Sequence, residues 1–259
     1  MVKLKKYNQF FKLFVIITTL LTIVSCTKPI YQLTTIEGKR IPITKAGDET
    51  PAIEKYISPF RDHINADLSA VLAISPETID KSGSKWQSPL GNLLADITLK
   101  AAHKIFQSRE KKPVDFCLLN SGGIRSILPK GNVTARTAYE IMPFENGLAV
   151  IALKGEQVLE LVDYFIATKK AHPIAGITFT ITKNNSAKNI VIQGKPFDTN
   201  KTYYVATNDY LASGGDNMNF FKKGIQKYDM DYKLRNIIID YFKEVDTIPV
   251  INDIRVTEE

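Results

Sequence analysis

Residues 114–125 read VDFCLLNSGGIR, a short apolar run that leads directly into a polar loop with paired glycines. The apolar run is typical of a strand buried inside a sheet, and glycine pairs are typical of a tight turn. Upstream, apolar residues recur at spacings of three and four and predict an amphipathic helix. These residues are Leu90, Leu93, Leu94, Ile97, Ala101 and Ile105. Asp96, Lys100 and Lys104 are expected to point outward from it.

The remaining chain mixes helices and strands. We predict helices over 50–64 with Thr50 as N-cap, over 134–141 with Thr134 as cap, over 158–166 and over 234–245. Strands are predicted over 68–74, 148–153, 174–182, 189–193 and 203–207. The two kinds of element do not alternate strictly, and no repeat of fixed period is visible. The sequence therefore predicts a single mixed α+β domain over residues 50–259.

The N-terminal region has the pattern of a targeting segment. Phe10 to Val24 is apolar but only 15 residues long, which is short for a membrane span, and four lysines lie within the first 12 residues. With Ser25-Cys26 after it, the segment resembles a bacterial lipoprotein signal. That resemblance implies cleavage after residue 25 and lipidation of Cys26. A buried N-terminal element with an incidental cysteine is the alternative.

The expected mature protein is anchored by lipid at Cys26 in the bacterial cell envelope, on the periplasmic or surface side. Residues 26–49 are polar and predict a tether, with a hairpin around Gly38. Loss of residues 1–25 removes four lysines and lowers the net charge from +7 to +3. A net charge of +3 produces only a weak electrostatic field, and the chain has no cluster of consecutive basic residues. The sequence therefore does not indicate nucleic-acid binding. Cys117 is expected to be a small buried apolar residue that forms no disulfide.

Catalytic motifs are missing from the sequence. The three histidines, His63, His103 and His172, are far apart, and none lies in a spacing typical of metal ligands. A site with two metal ions needs several histidine and aspartate ligands, and no GxSxG elbow is present. We therefore predict neither a catalytic residue nor a metal or other cofactor site in this chain.

Two glycine-containing loops are better candidates for ligand binding. Residues 120–125 (NSGGIR) let the backbone approach a ligand closely, and Arg125 offers a planar group suited to phosphate or carboxylate. Residues 208–217 (NDYLASGGDN) place an aromatic ring, two glycines and a carboxylate within one short segment. Either loop could also be a plain tight turn.

Five motifs in this order resemble the C-terminal domain of 5′-nucleotidases. They are SPLGNLLAD at 88–96, NSGGIR at 120–125, GNVT at 131–134, MPFEN at 142–146 and TNDYLASGGDN at 207–217. The resemblance covers roughly residues 50–255. It implies an α+β substrate-binding domain, whereas phosphate hydrolysis in the family belongs to a separate N-terminal metallophosphoesterase domain with two metal ions.

The resemblance also implies roles for single residues. Asn120, Gly123 and Arg125 match the loop that contacts the phosphate and sugar region of the substrate. Phe144 and Tyr210 match two aromatic residues that sandwich the nucleobase, the second of which is commonly Phe. Asn146 and Asp216 match polar residues that contact the base or ribose. For both aromatic residues the alternative is a place in the core, where most aromatic side chains lie.

Two departures from the family pattern bear on function. Ser84 and Gln87 stand where the family often has a basic residue and a Glu, with Lys85 adjacent, so one phosphate contact is expected to be weaker. The metallophosphoesterase motifs DxH, GNH(D/E) and GHxH are missing.

We therefore expect a nucleotide-binding component of a 5′-nucleotidase that needs a separate metallophosphoesterase chain, which would hold the divalent metal. A non-catalytic lipoprotein that binds nucleotides or nucleosides, and a purely structural envelope lipoprotein, are the alternatives.

Overall fold

The computed structural model describes residues 2–23, 33–42 and 50–259. The chain forms two compact units, Met1–Pro51 and Ala52–Glu259, which are described separately. In the first unit, helix α1 spans Val2–Ile23. Among the described residues, no helix is both long enough and apolar enough to cross a membrane. Cys26 and the predicted cleavage position lie outside the described residues.

The hairpin predicted around Gly38 is not formed. Residues 33–42 are exposed and contain neither helix nor strand. A two-stranded hairpin is at best marginally stable without a surface to pack on, and the side chains of 33–42 are solvated. The expectation was therefore wrong for this part of the tether.

The second unit contains six α-helices within the described part of the chain. They are α2 (Pro51–Ser69), α3 (Pro89–Glu110), α4 (Ala135–Ile141), α5 (Gly155–Thr168), α6 (Asp209–Ala212) and α7 (Leu234–Glu244). The cap predicted for α4 is confirmed, because Thr134 and Thr137 form a capping box. Helix α3 is capped by Ser88, whose side chain accepts a hydrogen bond from the Gly91 N–H at 3.2 Å.

The strands of this unit form three sheets. Their bounds are β1 (Val71–Ser75), β2 (Phe116–Leu118), β3 (Gly131–Thr134), β4 (Gly147–Lys154), β5 (Ile174–Ala175), β6 (Ile177–Ile181), β7 (Ala187–Ile192), β8 (Lys195–Pro196), β9 (Thr202–Asn208), β10 (Gln226–Lys233) and β11 (Val256–Glu258). The central sheet has the order β10-β4-β9-β2-β5. A second sheet has the order β11-β6-β7-β8, and β1 pairs with β3. The mixed α+β prediction is confirmed.

Successive side chains of β4 point to opposite faces of the central sheet, and an apolar cluster covers each face. Leu148 and Val150 belong to one apolar cluster with residues of α3 and α7, whereas Ala149 and Ile151 belong to a second cluster with residues of α5. The middle of the central sheet is therefore covered on both faces, which is why β2 and β4 are nearly continuous apolar runs in the sequence. Cys117 is fully buried in the first cluster, and burial raises the pKa of its thiol.

Three sequence expectations need correction. The single strand predicted over 174–182 is split at Gly176, whose φ of +79° turns the chain from the central sheet into the second sheet. The helix predicted to end near residue 64 continues to Ser69, and strand pairing begins only at Val71, opposite Thr134. Asp96 does not point freely outward, because it forms an ion pair of 2.7 Å with the buried side chain of Arg255.

Candidate functional site

The topology brings three loops to one edge of the central sheet. Strands β4 and β9 are antiparallel, with Leu148 opposite Asn208, so the residues before β4 lie beside the residues after β9. Strands β2 and β9 are parallel, with Cys117 opposite Ala206, so the loop after β2 emerges there as well. We call this region the loop edge. It carries the segments 120–125, 142–146 and 208–217, which hold every ligand-binding residue predicted from the sequence.

Asn120 connects the first of these loops to the third. Its Nδ2 donates to Asp216 Oδ2 at 2.7 Å. The side chain is buried, and its Oδ1 has no hydrogen-bond partner among the described residues. The amide is thus oriented with its donor nitrogen toward the carboxyl group of Asp216. The loop edge thus contains a buried acceptor without a hydrogen-bond partner in the described part of the chain.

Tyr210 and Asp216 are held together within the third loop. Tyr210 Oη donates to Asp216 Oδ1 at 2.9 Å, and the Asp216 backbone N–H lies 3.1 Å from the same Oη. One side of the Tyr210 ring rests on Gly215, since a Cβ there would lie 2.5 Å from ring carbons. The ring is nevertheless 47% exposed. Tyr210 therefore presents an aromatic surface to solvent in a fixed orientation and is not a core residue.

The backbone of this loop has unusual dihedral angles. Asp216 and Asn217 have φ values of +52° and +63°. Asp216 O also accepts a hydrogen bond of 2.6 Å from Tyr164 Oη, on the last turns of α5. Non-glycine residues keep left-handed backbone angles only where surrounding contacts hold them. Such residues are found frequently at ligand-binding sites.

Phe144 lies in the second loop, directly before β4, and is 45% exposed. The loop that carries it receives several hydrogen bonds from the buried side chain of Arg235, at the start of α7. Arg235 Nε donates to Met142 O at 3.0 Å, and Nη2 donates to Pro143 O at 3.0 Å and to Phe144 O at 3.1 Å. Nη1 forms an ion pair of 2.6 Å with Glu145. One guanidinium thus positions four consecutive loop residues.

The other predicted residues surround this framework. Arg125 is exposed, and its backbone N–H donates to Ile141 O at 2.8 Å, which joins the first loop to the end of α4. A Cβ on Gly123 would approach Asn120 Oδ1 to 3.1 Å, so a side chain there would crowd the free acceptor. Asn146 is half-buried, and its carbonyl accepts from the Leu234 N–H at 3.0 Å.

A second cation reaches the first loop from the segment before α3. Lys81 Nζ donates to Ile124 O at 3.0 Å and so lies next to Arg125. Gln87, one of the two departures from the family pattern, contacts the C-terminal segment, because its Oε1 accepts from the Arg255 N–H at 2.7 Å. The adjacent Lys85 forms an ion pair of 3.0 Å with Glu258. These residues fasten the C-terminal strand, and Lys81 supplies positive charge at the loop edge.

His172 lies behind the first loop, just before β5. Its Nδ1 accepts from the Ser121 N–H at 3.3 Å, and its Nε2 is buried without a hydrogen-bond partner in the described part of the chain. Burial, with a smaller contribution from Lys170, lowers the pKa of His172 to about 4. His172 is therefore neutral near pH 7 and supports the backbone of the loop.

Two cavities of about 610 and 720 Å³ lie elsewhere, one between α3 and α7 and the other beside the opposite end of β2. Neither is lined by a predicted site residue. Across residues 2–23, 33–42 and 50–259, no group of three or more His, Cys, Asp or Glu side chains could hold a metal ion. The loop edge thus carries two exposed aromatic residues, Phe144 and Tyr210, together with the cations Arg125 and Lys81.

Sequence reasoning missed Arg235, Lys81, Tyr164 and His172. Each acts on the loops through a contact with residues far away in the chain, from 43 positions for Lys81 and Ile124 to 93 for Arg235 and Met142. The local sequence around them carries no signal for this.

Comparison with known families and proteins gives a consistent result. The family model described as 5′-nucleotidase, C-terminal domain, matches residues 69–223. The chain is 26% identical over 222 residues to the trifunctional nucleotide phosphoesterase protein YfkN of Bacillus subtilis, an alignment that covers 79% of this chain and 15% of that protein. It is 30% identical over 200 residues to the cell wall protein Lmo0130 of Listeria monocytogenes, with 70% and 25% coverage.

A crystal structure of the 5′-nucleotidase precursor from Thermus thermophilus has the same fold over 80% of this chain and 42% of its own, with a TM-score of 0.66 and 24% identity. The chain therefore spans less than half the length of each of these three proteins.

Proposed function

This chain belongs to the 5′-nucleotidase C-terminal domain family, and on that premise we propose that it is the nucleotide-binding component of a 5′-nucleotidase-type phosphomonoester hydrolase. The observation that carries the proposal is the convergence of Asn120, Phe144 and the Tyr210–Asp216 pair at the loop edge. Residues from three separate loops would not be expected to meet there by chance with two rings left exposed.

The residues of the loop edge fit the parts of a nucleotide. We assign the exposed faces of Phe144 and Tyr210 to the two sides of the base, where each stack contributes about 1–3 kcal/mol. Asp216 and Asn146 then lie at the ribose or the base edge, and Asn120 Nδ2 holds Asp216 in place. The exposed guanidinium of Arg125 meets the anionic end.

Lys81 adds a second positive charge beside Arg125. This side chain compensates for the basic residue that is missing at Ser84, because its Nζ already lies at the first loop. Gly123 keeps the backbone close to the ligand. The proposed site is thus complete for recognition.

We assign hydrolysis to a separate metallophosphoesterase chain that holds the divalent metal ions. In that reaction water attacks the phosphorus, the bond from phosphorus to the 5′ oxygen breaks, and nucleoside and phosphate leave. The loop edge contributes by holding base and ribose while the phosphate faces the partner, so that the reacting groups are oriented. We further propose that lipidated Cys26 keeps the complex in the cell envelope, a setting consistent with a relative described as a cell wall protein.

Reconstitution tests this proposal. The purified chain with added Mn²⁺ or Zn²⁺ should release no phosphate from nucleoside monophosphates, whereas a mixture with the metallophosphoesterase from the same organism should. A Phe144→Ala, Tyr210→Ala variant in the mixture should restore little activity. Phosphate release by the isolated chain, or equal release with the double variant, would contradict the proposal.

The alternative is a lipoprotein that captures nucleotides or nucleosides without any hydrolysis. The same loop edge would serve it, and the exposed rings favour this over a purely structural lipoprotein. Saturable nucleotide binding, together with unchanged activity of the metallophosphoesterase in the mixture, would favour this alternative.

A further inference from the structure

The ring of Tyr139 lies against the guanidinium of Arg235. The centre of the ring is 4.1 Å from Cζ, which is within the range of a cation–π contact. Tyr139 belongs to α4 and Arg235 to α7, so the contact joins two helices that are far apart in the sequence. The same guanidinium donates hydrogen bonds to residues 142–146, which we call the Phe144 loop.

The hydrogen-bonding edge of this guanidinium is occupied by the Phe144 loop. Nε donates to Met142 O, and Nη2 donates to the carbonyl oxygens of Pro143 and Phe144. Nη1 pairs with Glu145. Because the N–H groups of a guanidinium lie in its plane, these contacts surround its edge and leave its faces free to stack on an aromatic ring. Tyr139 supplies such a ring.

The Tyr139 side chain has little else to hold it. Its hydroxyl has no hydrogen-bond partner in the part of the chain that the structure describes, and the residue is 43% exposed. The face of the ring, and not the hydroxyl group, therefore makes the contact with the guanidinium. A phenylalanine at this position would make the same contact.

The stack acts on a different degree of freedom from the hydrogen bonds. The bonds to the carbonyl oxygens fix the loop relative to the guanidinium, but the guanidinium is itself at the end of a long side chain with several rotatable bonds. The carboxylate of Glu145 is 70% exposed, and exposed ion pairs contribute little to holding a side chain in place. A ring packed on the guanidinium restricts where that group can lie, and with it the loop.

We infer that Tyr139 is a positioning residue for the base-binding part of the loop edge. It acts through Arg235, which carries the restraint to the Phe144 loop. The inference rests on the proposed function, because it takes the Phe144 ring to stack on the base, and it adds a residue that does not itself touch the ligand. In the described part of the chain Arg235 makes no hydrogen bond to Arg125 or Lys81, so the anionic end of the site is not expected to depend on Tyr139.

A pair of matched variants of the full chain tests this inference. Tyr139→Leu removes the ring and keeps an apolar side chain, whereas Tyr139→Phe keeps the ring and removes only the hydroxyl. Calorimetry measures binding of adenosine, guanosine, cytidine and uridine 5′-monophosphates and of the four nucleosides, and circular dichroism checks folding.

We expect Tyr139→Leu to bind nucleotides about two- to fivefold more weakly, as for the loss of one exposed cation–π contact. The loss should be the same factor for nucleosides, since the phosphate end of the site is unchanged. Tyr139→Phe should bind as the wild type does. Wild-type affinity in Tyr139→Leu, or an equal loss in both variants, would overturn the inference.

Combining the substitution with Phe144→Ala distinguishes positioning from direct contact with the ligand. If Tyr139 acts through the Phe144 ring, Tyr139→Leu should cause no further loss of affinity once that ring has been removed. A further loss as large as in the wild-type background would show that Tyr139 itself contacts the ligand, and would overturn the inference.

Hydrogen exchange tests the effect on the loop without any ligand. The Leu234 N–H donates to Asn146 O at 3.0 Å, so its exchange reports whether the Phe144 loop stays attached to α7. In Tyr139→Leu this amide should exchange faster than in the wild type, whereas amides of α3 should not change. Unchanged exchange of Leu234, or a loss of stability to denaturant with unchanged exchange and affinity, would reduce Tyr139 to an ordinary structural residue and overturn the inference.

The two kinds of failure can be told apart. No binding of any nucleotide or nucleoside by the wild type would contradict the proposed function, and exchange of Leu234 would still decide whether Tyr139 fixes the loop. Normal binding by the wild type, with Tyr139→Leu indistinguishable from it, would overturn the inference alone.

Discussion

The rings of Phe144 and Tyr210 are held by different contacts. Their contributions to nucleotide binding can therefore be measured separately. Tyr210 is oriented by Gly215 and by the hydrogen bond of 2.9 Å to Asp216, whereas the Phe144 ring has no polar group and depends on the loop that carries it. Replacing Phe144 by Ala should therefore remove one stacking face without breaking a hydrogen bond. The remaining site should stay folded.

We predict that Phe144→Ala weakens nucleoside monophosphate binding by about 1–3 kcal/mol, roughly 5- to 150-fold, because one base face loses its stack. Calorimetry on the purified chain measures this. Tyr56→Ala is the matched control, since Tyr56 is an exposed aromatic residue far from the loop edge in sequence and should leave the affinity unchanged. Equal losses in both variants would show that Phe144 has no special role.

Gly215 offers a test of the orientation of Tyr210. A Cβ at this position would lie 2.5 Å from ring carbons, so Gly215→Ala must displace the ring and break its bond to Asp216. We expect at least about tenfold weaker nucleotide binding, in line with loss of one stack, with little change in stability because the ring is already half-exposed. Gly38→Ala, where a Cβ meets no atom within 4 Å, is the control.

At the scale of elements, α7 and the loop before β4 are coupled through Arg235. The guanidinium contacts the carbonyls of Met142, Pro143 and Phe144, and all three lose their partner if it is removed. Lys233 also donates to this loop, to Glu145 O at 2.8 Å, but from the exposed surface.

We predict that Arg235→Met destabilises the protein by about 3 kcal/mol, as for loss of one partner of a buried charged network, and that amides 144–147 exchange hydrogen faster. Nucleotide affinity should fall as the Phe144 loop loosens. Lys233→Met should change the free energy of unfolding by less than about 1 kcal/mol. Unchanged exchange in the Arg235 variant would contradict the positioning role.

The elements also show what the sequence could and could not predict. Strands β2, β4 and β9 were predicted because their buried runs are continuous, and α3, α5 and α7 because their apolar residues follow the helical period. Strand β10 was missed, since its segment QKYDMDYK has one buried residue and becomes a strand through pairing with β4. The sequence predicted one strand through Gly176, because local composition does not show where a chain passes from one sheet to another.

The candidate site could be predicted only in part for the same reason. The loops were visible as glycine-rich segments after buried strands, and the family resemblance gave roles to seven residues. Their convergence depends on strand order and register, and the supporting side chains Arg235 and His172 act across long sequence separations. Neither kind of information is local.

At the scale of the whole molecule, the buried His172 predicts how stability depends on pH. Its pKa is lowered from 6.5 to about 4 in the folded protein. Between these values the unfolded chain binds a proton that the folded chain does not, so stability falls as pH falls through this window. The total loss should approach roughly 3 kcal/mol.

Denaturant unfolding of the wild type between pH 7 and pH 4 measures this slope. In His172→Gln the slope over the window should be smaller, because the titrating group is gone, although the variant should be less stable at pH 7. His63→Gln, at an exposed position on α2, should keep the wild-type slope. Parallel slopes for wild type and His172→Gln would show that another group controls acid stability.

The proposed complex depends on the loop edge as a nucleotide site, and calorimetry tests this most directly. Adenosine, guanosine, cytidine and uridine 5′-monophosphates are titrated into the wild type and into Phe144→Ala, Tyr210→Ala. We predict saturable binding of at least one nucleotide with one site per chain, lost in the double variant. No saturable binding of any of the four, or equal binding by the double variant, would contradict the account.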